Sequence, residues 1–89
     1  MEIQTIRTQI DKTDREIVSL LVRRMNLCAE IADCKAKSGL PVRDETREEE
    51  LLANIAQLSG AFSPYIQNVY REILSQSRTY QSERMTKKR

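Results

Sequence analysis

A run of more than thirty residues without glycine or proline opens the chain and constrains its fold more than any other feature. Within residues 3–38 the apolar positions follow the three-and-four spacing of a helix, at Ile3, Ile6, Ile10, Ile17, Leu20, Leu21, Leu27, Cys28 and Ile31. This spacing predicts one amphipathic helix. At 1.5 Å per residue it would be about 54 Å long, far longer than the helices of an ordinary domain of this size.

Glycine and proline mark the end of this helix. Gly39 suits the left-handed position after a helix, and Pro41 prevents continuation. A second helix is predicted over residues 44–59, because Asp44 and Thr46 are each good N-caps. Its buried side is expected to consist of Leu51, Leu52, Ile55 and Leu58.

A third helix is predicted over residues 64–84, since Ser63 can cap it and Pro64 fits its first position. Its buried side is expected to consist of Ile66, Val69, Tyr70, Ile73 and Leu74. Residues 85–89 are basic, and we interpret them as a solvated tail rather than a binding arm. The whole chain is predicted to be one all-α domain.

Composition excludes several classes of function. The chain has 89 residues with a net charge of +2, which is too small to indicate binding of nucleic acid. It has no histidine, so imidazole-based metal sites and histidine acid–base chemistry are excluded. The single Phe, three Tyr and four Gly or Pro residues argue against a β-sandwich or barrel.

The cysteines and the first residues indicate the compartment. Cys28 and Cys34 lie on one predicted helix with a large angular offset, so they cannot bond to each other. Reduced thiols are typical of a cytoplasmic protein. No stretch resembles a signal peptide or a membrane span, so no membrane partner is expected.

The long first helix predicts self-association. The second and third helices, joined by a short loop, can cover only part of its apolar stripe. A second copy of the chain is the obvious partner for the rest. We therefore expect three helices per chain in an intertwined homodimer.

Two cations lie on the apolar face of the first helix. Arg24 takes the position that continues the heptad series Ile3, Ile10, Ile17 and Ile31. A charge on a core seam is costly without a partner. Lys35 lies on the same face, about 16 Å from Arg24 between Cα atoms, so the two side chains could hold opposite ends of one small anion. Alternatively, Arg24 extends to solvent and Lys35 is simply near the helix end.

The other two helices also carry polar residues, either on an apolar stripe or clustered on one turn. Ser77 and Gln81 continue the apolar stripe of the third helix, and they either find partners in the interior or face water. Asp44, Arg47 and Glu48 share the first turn of the second helix. Capping and surface ion pairs would also explain them.

Arg7 flanks the same stripe as Arg24 but lies about 25 Å from it along a straight helix. The two side chains cannot reach one small ligand from one helix. In an antiparallel dimer, Arg7 of one chain can approach Arg24 of the other.

These residues together resemble the all-helical chorismate mutases of the AroQ class. The matching elements are the Ser77–Gln81 pair, "IRTQIDKTDREIVSLLVRR" and "EIADCKAKSGLPVRDETREEELL". The resemblance covers roughly residues 3 to 82. It implies an interlocked dimer that rearranges chorismate to prephenate in phenylalanine and tyrosine biosynthesis, without a cofactor. A free-standing enzyme is expected, because nothing in the sequence indicates a fusion partner, although a domain cut out of a longer protein would look the same.

The resemblance also implies roles for the residues that meet the substrate carboxylates. Arg24 and Arg7 of the partner subunit would bind the two carboxylates. Arg47 would support them, and Ser77 would lie near one of them.

Further roles concern the reacting atoms. Lys35 and Gln81 would flank the ether oxygen, where charge develops as the carbon–oxygen bond breaks. Glu48, with Asp44, would take the ring hydroxyl. The enzyme needs no nucleophile, because the rearrangement is intramolecular and depends on holding the substrate in its compact form.

The sequence leaves three alternatives open. An isochorismate pyruvate lyase on the same scaffold lacks the carboxylate that corresponds to Glu48, so its presence favours the mutase. An aminodeoxychorismate mutase is harder to separate, since an amino group could also meet Glu48. A non-catalytic helical module for dimerisation or regulation would leave Arg24 and Lys35 dispensable.

Overall fold

The computed structural model describes residues 2–87 and shows only helical elements joined by short connections over that range. They are α1 (Ile3–Ser38), α2 (Glu45–Ser59), a 3₁₀ turn (Gly60–Phe62) and α3 (Ser63–Lys87). The predicted all-helical class is therefore confirmed for the described residues. The 3₁₀ turn joins α2 to α3 with no non-helical residue between them, so the chain consists of two continuous helical arms: α1 alone, and α2 with α3, which fold back against each other.

The first arm ends where the sequence predicts. Gly39 adopts a left-handed backbone with φ of 68°, and its N–H donates to the carbonyl of Lys35. The N–H of Leu40 donates to the same carbonyl at 2.9 Å. The longest dimension of the molecule is 54 Å, which matches the length expected for α1.

The second arm begins at the capping residue Asp44, whose side chain accepts a hydrogen bond from the backbone N–H of Arg47 at 3.0 Å. Asp44 is thus the N-cap of α2, whereas Thr46 lies inside the helix. At the other end, α3 continues to Lys87, beyond the predicted end near Arg84. Residues 85–87 of the predicted tail are consequently helical, and residues 88–89 lie outside the described part of the chain.

The helices pack through α3, which contacts both α1 and α2. The buried residues come from the C-terminal half of α1 and the middle of α3: Cys28, Ala32, Leu74, Ser77 and Gln81. Ser77 is 3% exposed and Gln81 is 7% exposed. The alternative in which these two polar side chains face water is therefore wrong.

The single chain leaves much apolar surface uncovered. Every residue from Glu2 to Leu20 is exposed, and the heptad residues Ile10 and Ile17 remain 52% and 47% accessible. The predicted burial of Leu58, Ile66 and Val69 is wrong for the single chain, since all three are exposed. The physical reason is that α3 meets α1 along only part of its length, so three helices do not enclose a core.

Two sequence predictions about the environment can be compared with the structure. Cys28 is buried and Cys34 is exposed, and both are free thiols. Among residues 2–87, no helix combines the length and apolar character needed to cross a membrane.

Candidate active site

A cavity of about 280 Å³ lies between the C-terminal half of α1, the start of α2 and the middle of α3. This volume suits a small metabolite better than a polymer. Seven of the eight predicted site residues line it, namely Arg24, Lys35, Asp44, Arg47, Glu48, Ser77 and Gln81. The structure thus brings together residues from all three helices that lie up to 57 positions apart in the chain, from Arg24 to Gln81.

Arg24 is held in the cavity by contacts at one of its guanidinium nitrogens. Its Nη1 donates to Ser77 Oγ at 2.7 Å and approaches Cys28 Sγ at 3.6 Å. Ser77 in turn donates its own proton to the carbonyl of Ile73 at 2.8 Å. Because the hydroxyl proton is already committed, Ser77 acts as an acceptor that orients Arg24. The other N–H groups of the guanidinium remain available for a ligand.

Lys35 and Gln81 form a second polar pair at the opposite end of the cavity. Lys35 Nζ donates to Gln81 Oε1 at 2.9 Å and also to the carbonyl of Val42. Since an ammonium can only donate, the amide oxygen of Gln81 faces Lys35 and its NH₂ group is turned away. One N–H of Lys35 and the Gln81 NH₂ group are therefore donors without a protein acceptor among the described residues. Two such donors side by side suit an oxygen that gains negative charge.

The acidic wall of the cavity comes from the first turn of α2. Glu48 Oε1 accepts a hydrogen bond from Arg78 Nη1 at 2.6 Å, and Arg43 Nε lies 3.9 Å from the same oxygen. Asp44 uses one carboxylate oxygen to cap α2. The side chain of Arg47 lines the cavity and has no hydrogen-bond partner among residues 2–87.

The charges of the cavity favour an anionic ligand. Its lining contains four cations and two carboxylates, which leaves an excess of two positive charges. Glu48 is balanced by Arg78, whereas Arg24 and Lys35 meet only neutral hydrogen-bond acceptors within residues 2–87. Two cations at separate ends of a small cavity, with no counter-ion in the described part of the chain, match a ligand with two negative charges.

Comparison with known proteins identifies the family. The family described as chorismate mutase type II matches residues 6–82, which include every residue of the cavity described above. The chain belongs to the type II chorismate mutase family.

Several proteins that are similar to the chain are much longer than it. The T-protein of Enterobacter agglomerans is 31% identical over 86 residues, which are 93% of this chain and 23% of that protein. The bifunctional chorismate mutase/prephenate dehydratase of Aquifex aeolicus is 35% identical over 80 residues, or 83% of this chain and 22% of that protein. The chain thus spans less than a quarter of the length of these relatives.

A third relative is named for the mutase alone. The chorismate mutase of Methanocaldococcus jannaschii is 32% identical over 57 residues, which are 64% of this chain and 58% of that protein. No solved structure gives a significant match to the chain.

One predicted site residue, Arg7, lies apart from the cavity. Arg7 is exposed on the N-terminal half of α1 and does not line the cavity. This placement agrees with the distance that separates Arg7 and Arg24 on one straight helix. The contribution of Arg7 from a second copy stays a prediction.

Sequence reasoning missed two contributors to the site. Arg78 was not predicted, because its partner Glu48 lies on another helix and their contact crosses from α3 to α2. The available signal was its position between Ser77 and Gln81, three residues before the latter on a helix face that enters the cavity. The carbonyl of Val42 could not be predicted from residue types, since it is a backbone group in the connection between α1 and α2.

Proposed function

We propose that the protein is a chorismate mutase, an isomerase that converts chorismate to prephenate by an intramolecular Claisen rearrangement in phenylalanine and tyrosine biosynthesis. The observation that carries the proposal is the Lys35–Gln81 pair, which leaves two donors on one side of a cavity whose other end holds Arg24. A dianion with a breaking carbon–oxygen bond needs this combination of charge and donor groups. The family membership of the chain and the names of its relatives support the same activity.

In the proposed mechanism the protein contributes position and electrostatics. The carbon–oxygen bond breaks as the new carbon–carbon bond forms within one molecule, so no proton moves and no nucleophile is required. Lys35 and the NH₂ group of Gln81 donate to the ether oxygen, which carries more negative charge in the transition state than in the substrate. Donors that already point at this oxygen lower the barrier without reorganisation during the reaction.

The carboxylates of chorismate are proposed to fix the substrate in its compact conformation. Arg24 binds one of them with the N–H groups that Ser77 leaves unused. Arg47, whose side chain has no counter-ion among residues 2–87, supports the carboxylate side of the site. Restraint of two ends of a flexible molecule removes unproductive conformers and so raises the fraction that can react.

The ring hydroxyl is proposed to donate to Glu48, with Asp44 nearby as a second acceptor. Glu48 is held in place by Arg78, so it presents an ordered oxygen to the substrate. The carboxylate favours a mutase over an isochorismate pyruvate lyase, in which the resemblance implies that this acid is missing.

The assembly is proposed to be an intertwined homodimer in which Arg7 of the partner subunit completes each site. Support comes from the uncovered apolar residues of the N-terminal half of α1, including Ile3, Ile6 and Ile10. A second copy can cover them and bring a further cation to the second carboxylate of the substrate. The prediction of a cytoplasmic enzyme belongs to the same proposal.

The test of the proposed function is an assay with three substrates. Purified protein is incubated with chorismate, isochorismate or aminodeoxychorismate, and the products are identified by chromatography and mass spectrometry. We expect chorismate to disappear with formation of an equal amount of prephenate. Loss of chorismate no faster than in buffer contradicts the proposal, and release of pyruvate from isochorismate as the main activity favours the lyase.

A further inference from the structure

The ion pair between Arg78 and Glu48 is the one strong charge–charge contact inside the cavity among the described residues. Arg78 Nη1 lies 2.6 Å from Glu48 Oε1, and the two side chains are 29% and 17% exposed. Arg43 Nε is 3.9 Å from the same oxygen, although its side chain is 59% exposed. A partly desolvated pair of this kind is screened less by water and salt than a pair on the open surface.

The geometry of this pair leaves Glu48 with one oxygen for a ligand. Both arginine contacts fall on Oε1, and Oε2 has no protein donor among the described residues. An ionised carboxylate only accepts, so the ligand group next to it must be a donor. Neutral and positively charged donors both satisfy this requirement, and hydrogen-bond geometry alone does not separate them.

The charge of the donor distinguishes a neutral hydroxyl from a protonated amine. A hydroxyl donates one hydrogen bond and brings no charge, so Glu48 can stay paired with Arg78. An aliphatic amine is largely protonated at neutral pH and would bring a third cation beside Arg78 and Arg43. On this side of the cavity the carboxylates Glu48 and Asp44 are already matched by the cations Arg78 and Arg47, and Arg43 lies as close to Glu45 as to Glu48. The ammonium therefore adds a charge that no further carboxylate of the lining neutralises, and its repulsion from Arg78 opposes binding of the amine.

We infer that Arg78 is a specificity-determining residue that selects chorismate, with its neutral ring hydroxyl, over the analogue that carries an amino group at the same position. The inference rests on the proposed function, since it requires Glu48 to meet that ring substituent. Arg78 does not touch the breaking bond in this scheme. Its effect is confined to the side of the cavity formed by the first turn of α2.

The experiment compares kcat/KM for chorismate and for aminodeoxychorismate in the same protein. For the wild type we expect a preference for chorismate of about tenfold or more, as the repulsion of two cations near a partly exposed carboxylate predicts. In Arg78→Gln and in Arg78→Met the ratio should fall by at least about fivefold, because the fixed charge is gone while most of the side-chain volume remains. Two neutral variants are made so that poor folding of one leaves the other to decide.

Two further variants separate charge from structure. Arg78→Lys keeps the positive charge and should preserve the wild-type ratio to within about twofold. Arg71→Gln is the matched control, because Arg71 is an exposed arginine on α3 that pairs with Asn68 and lies outside the cavity. Its ratio should equal that of the wild type.

The outcomes are distinguishable from those of the function assay. If the wild type rearranges chorismate but the neutral Arg78 variants keep its substrate ratio, the inference is overturned and the proposed function stands. A wild type that prefers the amine also overturns the inference. If the wild type does not accelerate the loss of chorismate, the proposed function fails and this inference fails with it.

Discussion

Lys35 Nζ donates to Gln81 Oε1 at 2.9 Å, so that a cation from α1 and a buried amide from α3 form one unit across 46 residues of sequence. The contact fixes the direction of the amide, because only its oxygen can meet an ammonium. The NH₂ group of Gln81 and the third N–H of Lys35 are thereby left for a ligand.

Removal of the Lys35 ammonium should abolish most of the proposed activity. We expect Lys35→Ala to lower kcat by at least about a hundredfold, as for loss of one donor to a charge that develops in the transition state. Steady-state assays with chorismate measure this, and circular dichroism checks that the helices remain. Lys37→Ala is the control, since Lys37 is exposed in the last turn of α1. Equal activity of Lys35→Ala and wild type would refute the role of Lys35.

The exposed apolar stripe of α1 predicts a dimer that a single charge can weaken. Ile10→Glu places a carboxylate on a side chain that is 52% exposed in the single chain and that a second copy would bury. The cost of desolvating this charge should raise the dimer dissociation constant by about a hundredfold or more. Sedimentation equilibrium measures the constant. Thr8→Glu, on the opposite side of the helix, should leave it nearly unchanged, and similar effects of both variants would argue against the proposed interface.

Sites shared between two copies predict complementation. Arg7→Ala and Arg24→Ala should each be nearly inactive as homodimers. Random exchange between equal amounts of the two should restore about a quarter of wild-type activity, because half the dimers are mixed and each mixed dimer has one intact site. The activity is measured after mass spectrometry has verified the exchange. No recovery in verified heterodimers would contradict action of Arg7 across the interface.

The sequence was most informative where a local rule decides the structure. The spacing of the apolar residues and Gly39 predict the extent of α1, and Asp44, one of the two predicted N-caps, begins α2. Arg24 and Lys35 were found because each interrupts an apolar face, which is a property of one helix. The continuation of α3 to Lys87 was missed because no glycine or proline marks a stop near Arg84.

The contacts between helices could not be predicted in the same way. The pairing of Arg78 with Glu48 depends on how α2 and α3 pack against each other, and the contact of Lys35 with the carbonyl of Val42 depends on the path of the connection after α1. The burial of Ile66 was overpredicted for a related reason. An apolar stripe indicates that a face needs a partner, and it does not say whether that partner is in the same chain.

The left-handed backbone of Gly39 predicts a stability effect without any steric contact. A Cβ atom at this position would meet nothing within 4 Å, yet φ is 68°, a region that residues with a Cβ rarely adopt. Gly39→Ala should therefore lower the free energy of unfolding by about 1 kcal/mol through the backbone alone. Urea denaturation measures the change. Gly39→Asn should cost less, because asparagine tolerates this conformation better, and an equal cost for both variants would contradict the explanation.

An ion pair between Arg84 and Asp33, here called the clasp, joins the end of α3 to α1. Arg84 Nε and Nη2 donate to Asp33 Oδ1 and Oδ2 at 2.9 and 3.0 Å, which is a bidentate pair one helical turn beyond Gln81. The hydrogen bond from Arg84 to Asp33 raises the pKa of the guanidinium above its ordinary value. A raised pKa means that this contribution to stability is complete below the ordinary pKa of arginine and is lost only as pH rises through the still higher folded value. We therefore expect the contribution of Arg84 to be constant throughout the neutral and mildly alkaline range.

Substitution tests the clasp directly. Arg84→Gln should lower Tm by a few degrees and should also reduce kcat, because the last turns of α3 would hold Gln81 less firmly against Lys35. The fall in Tm should be the same at pH 7 and pH 9, and Arg84→Lys should recover only part of it, since an ammonium cannot form the two parallel hydrogen bonds. Thermal denaturation at both pH values and chorismate assays measure these effects. Full recovery by lysine would show that charge alone, without the bidentate geometry, stabilises the end of α3.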